Sequence, residues 1–278
     1  MNWRELYEQA LTSLADRQAA RWLVEEVSGD RWPLALGCGA PDRAASTFHA
    51  LLARRLAGEP VQYVLGHWAF RQLDLLVDGR VLIPRPETEV VVEVALRELD
   101  QLGAVKPVVV DLGTGSGAIA LSVAFERANA AVWAGDASAD ALEVASANLV
   151  GLGAQCAGRV HLVHGSWWDA LPTSLKGSVD LAVSNPPYIS SPELPRLPAE
   201  VAQWEPLEAL IAGPTGLEAY EAVVPSAREW LSPHAVLVCE IAPQQAAQVE
   251  ALARASGFKE VSVVQDMSGR DRALVARR

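Results

Sequence analysis

Asn185-Pro186-Pro187-Tyr188 gathers the groups needed to hold a planar NH2. Pro-Pro has no N–H to donate, so the backbone there offers only carbonyl acceptors. Asn185 adds an amide oxygen and Tyr188 an aromatic face. Two acceptors match the two hydrogens of a carboxamide or of an exocyclic base amine, and the ring can hold its plane. The prolines fix φ and push each preceding residue toward extended backbone, which makes a stiff corner. The same four residues could equally be a plain strand-ending turn, since Asn-Pro and Pro-Pro commonly mark turns. Their chemistry depends on what the rest of the chain brings beside them.

A second group of residues suits a nucleotide-like cofactor. Asp111-Leu112-Gly113-Thr114-Gly115-Ser116-Gly117 lies between a strand-like run and a helical one. Glycines there permit a tight turn and a close approach of ligand to backbone. Gly113, Gly115 and Ala118 also satisfy G-x-G-x-x-G/A, so the loop by itself permits NAD(P) as well as S-adenosylmethionine. Asp111 is expected to fix the loop or to approach the cofactor's amino-acid end. The next strand ends at Asp136, about 20 residues on, where a carboxylate takes ribose hydroxyls. Asp136 could also serve as a helix-start carboxylate near Ser138. After the third strand, Trp167 or Trp168 could stack on an adenine while the other packs in the core; Trp167 is favoured for the ligand. His161 and His164 read as structural, His49 and His67 have no metal partners nearby, and no metal site is visible.

The elements that must position these residues follow from periodicity. Strand-like runs at Val108–Leu112, Ala131–Gly135, Val160–Val163, Leu181–Ser184 and Ala235–Ile241 alternate with helical segments starting near Ser116, Ser138, Leu217 and Pro243. That alternation predicts a doubly wound α/β sheet with parallel strands. A terminal hairpin, Glu260–Gln265 and Arg272–Ala276, adds an antiparallel strand. Residues 1–57 read as short amphipathic helices and 58–84 as a β-hairpin connector turning at Asp78-Gly79. A domain spanning 85–278 opens with a helix at Pro86. Glu87 and Glu89 at that start read either as favourable helix-start charges or as groups that order the site.

Composition narrows the partners. Residues 1–75 hold 8 Lys/Arg against 9 Asp/Glu, so nearly all of the net charge of −11 falls on the rest. No Lys/Arg cluster offers the basic face that duplex nucleic acid requires, and a basic protein partner fits an acidic domain better. No run reaches the ~18 apolar residues of a membrane span, and no signal peptide is visible. Cys38, Cys156 and Cys239 are scattered and read as reduced, packing thiols of a cytoplasmic protein.

A glycine loop after the first strand, an acid after the second and Asn-Pro-Pro-Tyr after the fourth make the chain resemble class I amino-methyltransferases. Further runs are similar to the release factor glutamine methyltransferase family (PrmC/HemK). These are Glu59-Pro60-Val61-Gln62-Tyr63, Phe70, Leu82–Glu89 with its Pro-Arg-Pro-Glu-Thr-Glu, Glu205-Pro206, Ala209-Leu210, Gly213 and Gly216-Leu217. The resemblance covers nearly the whole chain and is weakest over the opening helices. It implies a small helical N-terminal domain joined by a β-hairpin to a class I (Rossmann-like) methyltransferase domain. The implied substrate is the glutamine of the Gly-Gly-Gln loop in peptide chain release factors. Gly113 to Gly117, Asp136, Trp167 and Asn185 would contact S-adenosylmethionine, and Asn185, Pro186, Pro187 and Tyr188 would hold the glutamine amide. Ser166 stands where the family often has Asp. A monomer is expected, with no direct nucleic-acid contact. The alternatives are a ribosomal-protein glutamine methyltransferase, an adenine-N6 DNA methyltransferase and a non-catalytic cofactor-binding adaptor.

Overall fold

Asn2 starts the first helix, α1 (Trp3–Leu14): its side chain accepts from Glu5 N while the Glu5 carboxylate accepts from Asn2 N. This reciprocal cap satisfies two donors that helical geometry leaves open. Asp16 caps α2 (Arg17–Ser28) in the same spirit, and α3 (Asp42–Leu56) and α4 (Val61–Leu65) come next in the chain. Leu6, Leu23, Val24, Phe48 and Val64 share one core. These helices, together with Pro198–Trp204, form one compact unit running from Met1 to His67. The helical unit therefore continues past residue 57, where periodicity ended it. Val61–Leu65 coils rather than extends, and that buries Val64 in the helical core.

The second unit comprises Trp68–Leu197 and Glu205–Arg278, and the structure describes every residue of the chain, Met1–Arg278, in this computed structural model. β1 (His67–Phe70) and β2 (Leu73–Leu76) form a two-stranded sheet. Its turn is at Arg71-Gln72, not at Asp78-Gly79 as the sequence suggested. Arg71 adopts φ 51, unusual for a residue with a Cβ. Its N–H donates to Glu89, and its guanidinium binds Glu126 at 2.6 Å and Glu93 at 3.0 Å. These contacts between residues far apart in the chain hold the turn, and no local dipeptide signals them. Asp78 does turn the chain, with Val81 N bonding Asp78 O at 3.1 Å, but it leads into an extended segment outside any strand rather than into a second arm of a hairpin.

From α5 (Pro86–Leu102) onward the alternation is regular. It runs β3 (Val108–Leu112), α6 (Ala118–Glu126), β4 (Ala131–Asp136), α7 (Ala139–Gly151), α8 (Ala154–Ala157), β5 (Val160–His164) and β6 (Val179–Ser184). A minor two-stranded sheet, β7 (Ile189–Ser190) beside β8 (Ile211–Gly213), brackets the short helix α9 (Ala199–Trp204) in sequence. The chain ends with α10 (Glu218–Trp230), β9 (Leu231–Glu240), α11 (Ala246–Ala255), β10 (Glu260–Gln265) and β11 (Asp271–Arg277). The main sheet has the order β10-β11-β9-β6-β3-β4-β5, parallel throughout except for β11, which is antiparallel to both neighbours. Successive residues of β3 face opposite cores: Val109 lies with α5 and α6, and Val110 and Leu112 lie with α10 and α11. Strand order reverses between β3 and β6, so the crevice beyond their carboxyl ends is where an open α/β sheet binds ligands. No helix is long and apolar enough to cross a membrane.

Candidate active site

Beyond the carboxyl ends of β3, β4 and β6 lies a cavity of about 450 Å³. Gly113, Thr114, Gly115 and Ser116 form one side, Asp136 and Trp167 a second, and Asn185 and Pro187 a third. Arg80, Val81, Leu82, Pro84, Arg85 and Thr88 supply a further wall from the extended segment and the start of α5. Most of the site residues expected from sequence thus converge on one space. Asp111, Gly117, Pro186 and Tyr188 do not line it. Pro186 is buried, and the Tyr188 ring packs against the α10/α11 core, where burial pushes its phenol up to about 12.

The glycine loop needs its composition. Gly113, Gly115 and Gly117 all have positive φ, at 76°, 55° and 85°. A Cβ on Gly113 would stand 3.4 Å from the Trp167 ring, an ordinary contact distance, so the ring lies beside the loop and it is the positive φ that calls for glycine. Asp136 ties the loop to the next helix: Oδ2 accepts from Gly115 N at 2.8 Å and Oδ1 from Ser138 N at 2.9 Å. The helix-start role and the cofactor role considered from sequence are compatible, since each oxygen keeps a second lone pair.

Asp111 works from beneath. It is wholly buried, and its Oδ2 accepts from the Thr114 hydroxyl at 2.6 Å and from Ala120 N at 3.1 Å. Its Oδ1 has no partner in the protein. Burial drives this carboxyl up to about 7, partly offset by those bonds. Glu240 on β9 is likewise buried and raised to about 7. An unfolded carboxyl releases its proton near pH 4, before the folded one does, so the folded state binds more protons between those values. Stability of the ligand-free protein should therefore fall as pH rises from about 4 to about 7 and level off above. Asp111→Asn should flatten that slope in a series of melting curves; an unchanged slope in the variant would refute the assignment.

Four positioning contacts could not be read from spacing, although Thr88, Glu205 and Gly216 stand in the runs shared with the family. Glu205 is buried, accepts Ile83 N at 3.3 Å and pairs with Arg85, so it pins the extended segment against the cavity. Asn148 on α7 accepts Leu76 N at 2.7 Å and donates to Ser116 O at 2.8 Å, which joins β2 to the glycine loop. Gln245 donates to Tyr188 O at 2.9 Å and to Gly216 O at 3.0 Å. A Cβ on Gly216 would fall 2.7 Å from Tyr188 O, so only glycine lets the two loops meet. Thr88 receives the Asn185 Nδ2 bond at 3.2 Å and donates to Glu240 at 2.7 Å. A glutamate or amide far along the chain leaves no local pattern, which is why spacing could not find these partners. The two tryptophans divide: Trp167 lines the cavity, while Trp168 is buried, donates to Val223 O and stacks on Trp230.

Known proteins share this architecture and sequence. The family described as the PrmC N-terminal domain matches residues 3–66, and the methyltransferase small domain matches 91–195. A release factor glutamine methyltransferase of Moorella thermoacetica is 45% identical over 84% of this chain and 81% of its own length. One of Gloeobacter violaceus is 42% identical over 98% and 95%. Among solved structures, the hMettl16 catalytic domain in complex with the MAT2A 3'UTR hairpin 6 superposes with a TM-score of 0.57 at 15% identity, covering 85% of this chain and 82% of that one. A methyltransferase from Pyrococcus furiosus gives 0.50 at 18% identity, covering 81% and 96%. At such identities the two structures speak for the fold alone.

Proposed function

Since this chain belongs to the release factor glutamine methyltransferase family, we propose that it methylates the glutamine of the Gly-Gly-Gln loop of peptide chain release factors. The methyl goes from S-adenosylmethionine to the side-chain amide nitrogen. The observation that carries the reading is that Asn185 and the glycine loop line one cavity. Cofactor and amide thereby share a space large enough for both reacting ends.

The cavity's residues fit S-adenosylmethionine. The Gly115 N–H is already oriented by Asp136, and open space stands where a Gly115 Cβ would be. Trp167 offers a ring for the adenine, and Asp136 keeps lone pairs for ribose hydroxyls. Asp111, beneath the loop, holds its shape through Thr114 and Ala120 N, with Oδ1 left without a protein partner. Thr114 and Ser116 complete the cradle. When bound, the cofactor supplies an electrophilic methyl on a sulfonium.

An amide nitrogen is a poor nucleophile because its lone pair is delocalised into the carbonyl. The chain's residues therefore act by positioning and electrostatics. Asn185 Oδ1 and the Pro186 carbonyl accept the two amide hydrogens, which aims the lone pair and stabilises positive charge growing on nitrogen. Pro187 holds the corner stiff, and Tyr188, whose ring packs into the α10/α11 core instead of over the cavity, anchors that corner from behind. No general base acts before transfer; the proton leaves afterwards. The cytoplasm, where release factors work, is the compartment this reading requires.

Labelled S-adenosylmethionine offered with release factor, ribosomal protein or DNA tests the proposal. Mass mapping should put one methyl on the Gly-Gly-Gln peptide. Label confined to ribosomal protein or DNA would overturn it.

A further inference from the structure

We propose that Thr88 and Glu240 are positioning residues that lock the Asn185 amide with its oxygen turned to the cavity. The inference rests on the reading that Asn185 Oδ1 accepts a substrate amide hydrogen. An amide side chain is nearly symmetric in shape, and its two ends differ only in hydrogen bonding. Were Asn185 turned round, it would present NH2 to the NH2 of the substrate. Something in the protein must therefore choose its orientation.

The choice comes down to proton counting. A threonine hydroxyl has one hydrogen to donate and lone pairs to accept with. Thr88 Oγ1 gives that hydrogen to Glu240 Oε2 at 2.7 Å. Toward Asn185 it can only accept, so the group facing it must be Nδ2, at 3.2 Å. Oδ1 is then left for the cavity, which Asn185 and Thr88 both line. Glu240 is the origin of the polarity in its ionised form, the form that dominates above about pH 7, where both its oxygens accept. Its Oε1 faces the Arg272 guanidinium at 3.9 Å, and Oε2 faces Thr88. Thr88 and Glu240 are both buried, at 4% and 1% exposure, so no bulk water competes for these bonds. Thr88 also sits between Glu87 and Glu89 in the run that singled out the family. The residue with the direct line to Asn185 is the neutral one between the two acids.

Three variants separate orientation from packing. Thr88→Val keeps the shape and removes the acceptor, so kcat should fall about tenfold or more with KM for release factor and Kd for cofactor little changed. Thr88→Ser restores the hydroxyl and should recover turnover to within about threefold of wild type. In Glu240→Gln, Arg272 retains the amide oxygen, and the new NH2 faces Thr88. Thr88 must then donate to Asn185, which reverses the amide, so this variant should be at least as slow as Thr88→Val. Turnover of Thr88→Val within about twofold of wild type would overturn the proposal. So would a Thr88→Ser variant as impaired as Thr88→Val, or a Glu240→Gln variant with normal kcat.

A readout without substrate keeps the two proposals apart. The Asn185 side-chain NH2 should show a hydrogen-bonded proton resonance in the wild-type protein, lost in Thr88→Val and kept in Thr88→Ser. If wild-type protein methylates no glutamine, the proposed function fails, and this resonance still decides the relay. An Asn185 amide with the shifts of a free, solvent-facing NH2 in wild type would refute it even if neither variant folds.

Discussion

Replacing Asn185 by alanine is expected to lower kcat by roughly 10²–10³-fold while changing cofactor affinity by no more than a few-fold. The magnitude reflects the role proposed for the group removed: an oriented acceptor aimed at charge that grows only in the transition state. Such a group stabilises the transition state more than the ground state, so its loss appears in kcat. The alanine also leaves Thr88 Oγ1 without its donor, but that group keeps its bond to Glu240. The glycine loop, Asp136 and Trp167 are held by contacts that do not pass through Asn185, which is why cofactor binding should survive. Single-turnover methylation beside calorimetric titration of the cofactor would measure both. Near-normal turnover in the variant would remove Asn185 from the mechanism.

Asp136→Ala should do the reverse. Here cofactor Kd is expected to weaken by about a hundredfold, with kcat at saturating cofactor within a few-fold of wild type. The carboxylate holds two backbone amides, Gly115 N and Ser138 N, in addition to the ribose contact proposed for it. Without it, the loop loses the bond that orients the Gly115 N–H, and the first turn of α7 loses an acceptor. Bonds to a charged acceptor are worth about 1.5–3 kcal/mol, so losing the ligand contact together with the loop's order accounts for the size. A titration with unaltered affinity would reduce Asp136 to a helix-start residue. The opposed signatures of the two variants, one in kcat and one in Kd, test the division of the cavity into a reacting end and a holding end.

The legible part of the fold was the part whose signals are local. All of the long sheet strands lie where alternation or apolar runs put them; Val108–Leu112 and Glu260–Gln265 match to the residue. Helix starts at Pro86 and beside Ser138 also lie where cap chemistry predicts. The hairpin turn was misplaced because Asp78-Gly79 carries a strong turn signal and Arg71-Gln72 none. Arg71 is held in place by Glu89, Glu93 and Glu126, and only folding brings those acids to it. Val61–Leu65 was missed as a helix because five residues are too short to show a period.

For the site, sequence alone determined the kinds of group present: a bare loop, an acid past the next strand, an aromatic, and an amide followed by two prolines. It could do so because each is a side chain or backbone property carried by a short run, and the family's motifs preserve those runs together. Tertiary structure decided the rest. It put Trp167 in the cavity and its neighbour Trp168 in the core, and it set Asp111 under the loop rather than in it. It also ran Glu240 through Thr88 to Asn185 across a separation of 152 residues for the first bond and 97 for the second. The direction in which an amide points depends on which neighbour has a proton to give, and neighbours of that kind exist only once the strands have paired.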